Sequence, residues 1–223
     1  NAEMATYFGV TPEINDDGEV INDAAIAAAV NPYDYGYTTE VVVNAYSDAT
    51  VTKHYAMGRV AIELSYVMPD EKTVYTSVDG SRVGLFMFIA DTAGDLSAGT
   101  LYAAKFDQTS PWYPDEDTRV AESLRDGGSG NITWIKLGEA TNGEIRTLID
   151  TGGTGPGGQL LFEDIFEEDV AGCTVIQNRD ASKECLKVIP GMETAAAFLE
   201  TSRYAGIMGA TTEWEKMEGI TLD

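Results

Sequence analysis

Basic residues are scarce in this chain. Lys and Arg number 14 against 37 Asp and Glu, so the formal net charge is -23 and the pI lies near 4.1. Such a surface repels phosphate backbones at long range, and no Lys/Arg cluster appears, so nucleic acids and anionic membranes are excluded as expected partners. The acidity serves solubility in a salty medium or binding of divalent cations. Histidine occurs once, at His54, without the companions that a zinc site or a Ser-His-Asp triad draws on, which makes it a structural or exposed residue. No apolar run approaches the roughly 18 residues of a membrane helix; the longest, Val83 to Ala90 and Ala195 to Leu199, are strand-like and helix-like pieces of a core. No signal peptide is evident after Asn1, so any export signal has been removed or was never included.

Cysteine is also sparse. Cys173 and Cys185 suggest a disulfide closing a surface loop, with two unrelated reduced thiols as the alternative, and a bridge favours an oxidising compartment. What is abundant is apolar content, 43% over 223 residues, enough for a full domain.

The patterning is mainly β. Val74, Thr76 and Val78 alternate with Tyr75 and Ser77, Asp79-Gly80-Ser81 supplies a turn, and Val83 to Ile89 returns as an apolar strand. Leu101 to Phe106 and Asn131 to Gly138 read as further strands, so the chain contains a meander of the kind that builds propeller blades and sandwiches. The glycine-rich stretch Thr151 to Gln159 lacks the Lys-Ser/Thr of a P-loop and is expected to be a flexible linker or lid. Helices are expected over Asp23 to Val30, as a short acidic turn within Glu163 to Val170, and over Thr194 to Met208 with Gly209 as the stop. Glu218 to Asp223 reads as the start of a strand without a partner, which suggests a truncated end. Trp112, Trp134 and Trp214 are expected in the core or a channel wall. Asp91, Asp95, Asp115 and Asp117 lie in loops without the EF-hand pattern and read as solvated.

Four phrases in order, "NPYDYGY" with "TTEV", "MGRVAIE", "VMPDEKTVYTSVDGSRVGLFMFIADTAGDLSAGTLYAAKF" and "GATTEWEKMEGITLD", resemble the PhoX-type alkaline phosphatases, over about Asn31 to Phe106 and Glu193 to Asp223. Between them, residues 107–192 form a divergent insertion carrying both cysteines. The resemblance implies an incomplete part of a β-propeller, with calcium and iron at the mouth of its channel, hydrolysing small phosphate esters in a secreted, periplasmic or cell-surface setting. It implies Glu63 and Glu218 as metal ligands and Lys216 as the cationic contact to phosphate. Carboxylates suit the chemistry, since calcium takes several oxygen ligands at once and a transferring phosphoryl group is stabilised by metals and a cation. The departures are specific. Ile62 stands where the family commonly has a histidine, Lys216 replaces an arginine and loses its bidentate fork, and neither Cys173 nor Cys185 matches the family's ligand cysteine. The remaining segments of the propeller would be required for a complete cluster. From the residues alone, Glu63 is a strand-end carboxylate pairing with Arg59, and Lys216 a solvated lysine. The rival function is a catalytically silent, calcium-binding propeller segment serving as an extracellular interaction module.

Overall fold

The computed structural model describes residues 6–17, 29–110 and 129–220. The expected helix from Asp23 lies outside these residues except at its last positions, as does Trp112. Twelve strands and four short α-helices are described, in a mainly β architecture with antiparallel sheets. The largest sheet has the order β3-β4-β6-β7-β8, formed by Ile62–Val67, Thr73–Val78, Phe86–Thr92, Asp95–Ser110 and Ser129–Thr141. It is an open meander, and the described residues do not close it into a barrel. Its register follows the side-chain alternation: Val74 and Phe88 face each other across β4 and β6, and Phe88 faces Leu101 on β7. Those three side chains are almost fully buried, each worth about 2 kcal/mol of transfer from water.

Between β4 and β6 the chain leaves the sheet. β5, Ser81–Val83, pairs instead with β12, Trp214–Glu215, so the expected direct hairpin contains an excursion that ties the turn Asp79-Gly80 to the C-terminal segment. β1, Thr39–Ala45, and β2, Asp48–Lys53, form a separate exposed hairpin. A third small sheet holds β9, Phe166–Glu168, β10, Thr174–Gln177, and β11, Lys183–Val188, in the order β10-β11-β9.

Helix α1, Asn142–Thr151, follows β8 directly, and its signal is local: Thr141 and Glu144 form a reciprocal capping box. The glycine stretch after it is not a loose linker. Gly153 and Gly155 donate to the Gly158 and Gln159 carbonyls, Leu160 returns to Ile149, and the Asp164 carboxylate accepts from Thr154 and Leu161. The acidic segment splits into α2, Phe162–Ile165, and strand β9, because Phe166 turns extended and pairs with Val188.

The single helix expected from Thr194 is two, α3 at Glu193–Leu199 and α4 at Thr201–Ile207, broken at Glu200 with φ -123 and ψ 45. Side-chain bonds at Glu200 hold the break, as described below. Gly209, with φ +81, ends α4 as expected. The described residues of the 107–192 stretch contribute to one core with the other described residues: Leu137, Ile145, Ile165 and Leu186 join Phe86, Leu101 and Phe198. Residues 216–220 form no strand, and the last three lie outside the described residues. Trp134 packs on Tyr75, and Trp214 on Phe106 with its indole N–H buried and unpartnered.

Candidate functional site

The stretch Met57-Gly58-Arg59 is built as an anchor beneath α3 and α4. A 3-10 turn, Tyr55–Met57, ends at Gly58 with φ +82. A Cβ at Gly58 would lie 2.7 Å from Leu101 Cδ2 and 2.8 Å from Thr201 Oγ1, so only glycine passes here. The next amide, of Arg59, then donates to the Phe198 carbonyl at 2.9 Å and to Thr201 Oγ1 at 3.0 Å. The Arg59 side chain runs away from Glu63. It donates to the carbonyls of Tyr35 and Leu199, approaches Glu200 at 3.8 Å and stacks over Tyr33. Pairing of Glu63 with Arg59, the reading of the residues alone, is therefore not made.

Glu63 occupies a β-bulge. Ile62 faces Val78 and Leu64 faces Ser77, leaving Glu63 as the extra, exposed residue of β3. Bulges re-aim side chains and are over-represented at sites of function. The C-terminal segment returns to the same edge of the sheet: a Cβ at Gly219 would lie 2.8 Å from Leu64 Cδ2, so Glu218 and Glu63 each adjoin this contact between segments some 150 residues apart in the chain. Both carboxylates are exposed. Lys216, with φ +50, hydrogen-bonds through its amide to the Gly80 carbonyl, and its ammonium lies 3.2 Å from Asp79 Oδ1. Its side chain is 66% exposed, so that pair is weak and exchangeable.

Donor count decides whether these residues suit calcium or iron. Two carboxylates supply roughly four oxygens, against the six to eight of a calcium shell. Among the described residues no three His, Cys, Asp or Glu are grouped to hold a metal. Glu63 and Glu218 do not by themselves complete such a site.

Arg179, which donates to the turn that receives Lys216, lines a cleft of about 710 Å³ together with Arg59, Arg82 and Arg203, four of the chain's seven arginines. Two of them are neutralised. Arg203 grips Glu184 with two bonds of 2.7 and 3.0 Å and reaches Glu200 at 2.8 Å. Glu200 is buried, accepts the Tyr33 hydroxyl at 3.0 Å, and lies near Arg59. The Arg203 bonds hold the Glu184 carboxyl below its ordinary range, while Glu184 raises the Arg203 guanidinium further. Burial, reinforced by Glu200, drives the Tyr33 phenol far above its ordinary range.

The other two form no ion pair among the described residues. Among the described residues the arginine ion pairs involve Arg59, Arg146 and Arg203. Arg82 donates to the Arg179 carbonyl at 3.3 Å, and Arg179 donates to the Asp79 carbonyl at 2.7 Å. The Arg179 guanidinium lies on Gly80, where a Cβ would come 2.3 Å from its Nη2. Arg179 sits at the tip of the β10-β11 hairpin, and the Cys173–Cys185 disulfide, Cα to Cα 5.3 Å, closes the base of that hairpin. Neither arginine carries a sequence motif, and the cleft becomes visible only on folding.

His54 is buried and structural. Asn142 Oδ1 accepts from the Ala56 amide, which turns its Nδ2 toward His54 Nδ1 at 3.3 Å; Nδ1 therefore accepts, and Nε2 donates to Glu40 at 3.0 Å. No helix among the described residues is long and apolar enough to cross a membrane. No protein-family model, curated protein or solved structure matches the chain.

Proposed function

We propose that the chain is part of an exported, metal-dependent phosphomonoester hydrolase of PhoX type, acting on small phosphate esters. The observation that carries the reading is the convergence at one edge of the main sheet of residues from distant phrases: Glu63 on its bulge, the Glu218-Gly219 segment against Leu64, and Lys216 on the turn Asp79-Gly80. The disulfide is compatible with export. In this reading Glu63 and Glu218 contribute carboxylates to a calcium and iron centre whose remaining donors come from elsewhere, and Lys216 leaves its exposed pairing with Asp79 to meet phosphate oxygens. Bound metal supplies charge neutralisation for phosphoryl transfer. The cationic side chains of this chain orient the ester.

The alternative, a silent calcium-binding module, is favoured by the incomplete donor set and by Ile62. Elemental analysis for iron and calcium on the natively purified protein, with aryl phosphate hydrolysis before and after chelation, separates the two. Stoichiometric iron and chelator-sensitive turnover, both lost in Glu63→Gln and in Glu218→Gln, are expected. Calcium without iron or turnover would establish the silent module, and neither metal nor turnover would refute both.

A further inference from the structure

We infer that the arginine cleft is a recognition site for the phosphate group of a small organic monoester, with Arg82 and Arg179 as its receiving groups. In a chain of net charge -23, two guanidinium groups at one cleft wall that form no ion pair among the described residues keep a donor capacity that those residues do not use. Each spends one bond on a backbone carbonyl, which orients the planar group and leaves the rest of its five donors for an oxyanion. Of the acidic side chains in the lining, Glu184 and Glu200 are bonded to Arg203, and Asp180, which accepts the amide and hydroxyl of Ser182 at 2.9 and 2.6 Å on one oxygen, acts on Arg82 through space without forming an ion pair.

Two features hold the pair in place. Gly80 leaves the space that the Arg179 guanidinium fills, and the disulfide closes the hairpin that carries it. Arg82 keeps a left-handed backbone, φ +56, that a non-glycine residue adopts at a cost. The cleft also has an apolar wall, where Val60, Val83 and Ile176 line the same volume. A ligand with an oxyanion head and a small apolar body fits both. At about 710 Å³ the cleft lies within the usual range for small-molecule sites.

The choice of phosphate over other oxyanions rests on the proposed phosphoester function; the arginine pair does not depend on hydrolysis. The test is therefore a binding measurement on the full chain with chelator present, so that absent turnover and absent binding are read separately. Isothermal titration with inorganic phosphate, phenyl phosphate and benzoate is compared for the wild type, Arg82→Gly, Arg179→Met and the distant control Lys136→Met. Phenyl phosphate is expected to bind more tightly than either other probe. Each arginine variant should weaken it by about tenfold or more, the equivalent of one good charge-assisted contact, and Lys136→Met should not. Arg82→Gly relieves the left-handed backbone, so its melting temperature is expected to equal or exceed the wild type's, which keeps loss of binding distinct from loss of fold. Benzoate binding as tightly as phenyl phosphate would overturn the phosphate assignment. Unchanged affinity in both arginine variants, or no wild-type binding at millimolar ligand, would overturn the site.

Discussion

Replacing Gly58 by Ala tests whether the glycine of the "MGR" stretch is demanded by packing. The backbone there, φ +82 and ψ 155, belongs to a region that is essentially glycine-only and costs other residues about 1–3 kcal/mol. The added methyl would also meet Leu101 Cδ2 at 2.7 Å and Thr201 Oγ1 at 2.8 Å. Neither neighbour yields easily. Leu101 is 1% exposed, and Thr201 Oγ1 is pinned from two sides, accepting from the Arg59 amide and donating to the Ala197 carbonyl at 2.7 Å. Overpacking of this kind costs about 1–3 kcal/mol, so the two terms together predict a loss of about 2–6 kcal/mol. That is a large share of the roughly 5–15 kcal/mol that holds a domain together. Urea unfolding followed by tryptophan fluorescence reads the change as a lower midpoint at unchanged slope. The double variant Gly58→Ala, Leu101→Ala should lose less than the sum of the two single variants, because truncating Leu101 opens the space that the added methyl needs. A Gly58→Ala change below about 0.5 kcal/mol would refute the reasoning, because surface substitutions without a steric consequence fall in that range.

Two further outcomes follow from the same structure. Reducing Cys173–Cys185, which closes a loop of 12 residues in sequence separation, should cost about 3 kcal/mol in the chain-entropy treatment; an unchanged unfolding midpoint with and without reductant would contradict it. The Glu184 carboxyl is depressed in the folded state by its bonds from Arg203. Its contribution is thus fully present above the unfolded carboxylate range and is lost as pH falls through the lower, folded value. Stability measured between about pH 6 and pH 2 should therefore fall less steeply in Glu184→Gln than in the wild type, and parallel curves would exclude Glu184 as a source of the acid slope.

Where a structural cue was local, it was legible in the sequence. The alternation of Val74, Thr76 and Val78 and the apolar run from Phe86 define strands because side-chain period and burial coincide in a half-covered sheet. The Cys173–Cys185 pair and the stop at Gly209 were equally readable, and the capping box Thr141–Glu144 was an available signal for α1. The split of the helix expected from Thr194 was not, because α-helical propensity favours continuity to Met208, and it is Tyr33 and Arg59, arriving from elsewhere in the chain, that engage Glu200 at the break alongside its neighbour Arg203. The glycine stretch after α1 was likewise misleading, since its order comes from Asp164 and Leu160 rather than from its own composition.

The functional region divides the same way. The sequence by itself determined the acidic surface, the mainly β class, the disulfide and the candidates Glu63, Lys216 and Glu218, all of which depend on residue type, spacing or short phrases. Tertiary structure alone decided that Glu63 sits on a bulge, that Lys216 rests on Asp79, and that Arg82 and Arg179 line one cleft with no ion pair among the described residues. Those arrangements require β5 to pair with β12 and the β10-β11 hairpin to reach Gly80, contacts between segments roughly 100 residues or more apart. Their geometry is set by how the sheets and helices share one core, information that no local stretch of the chain contains.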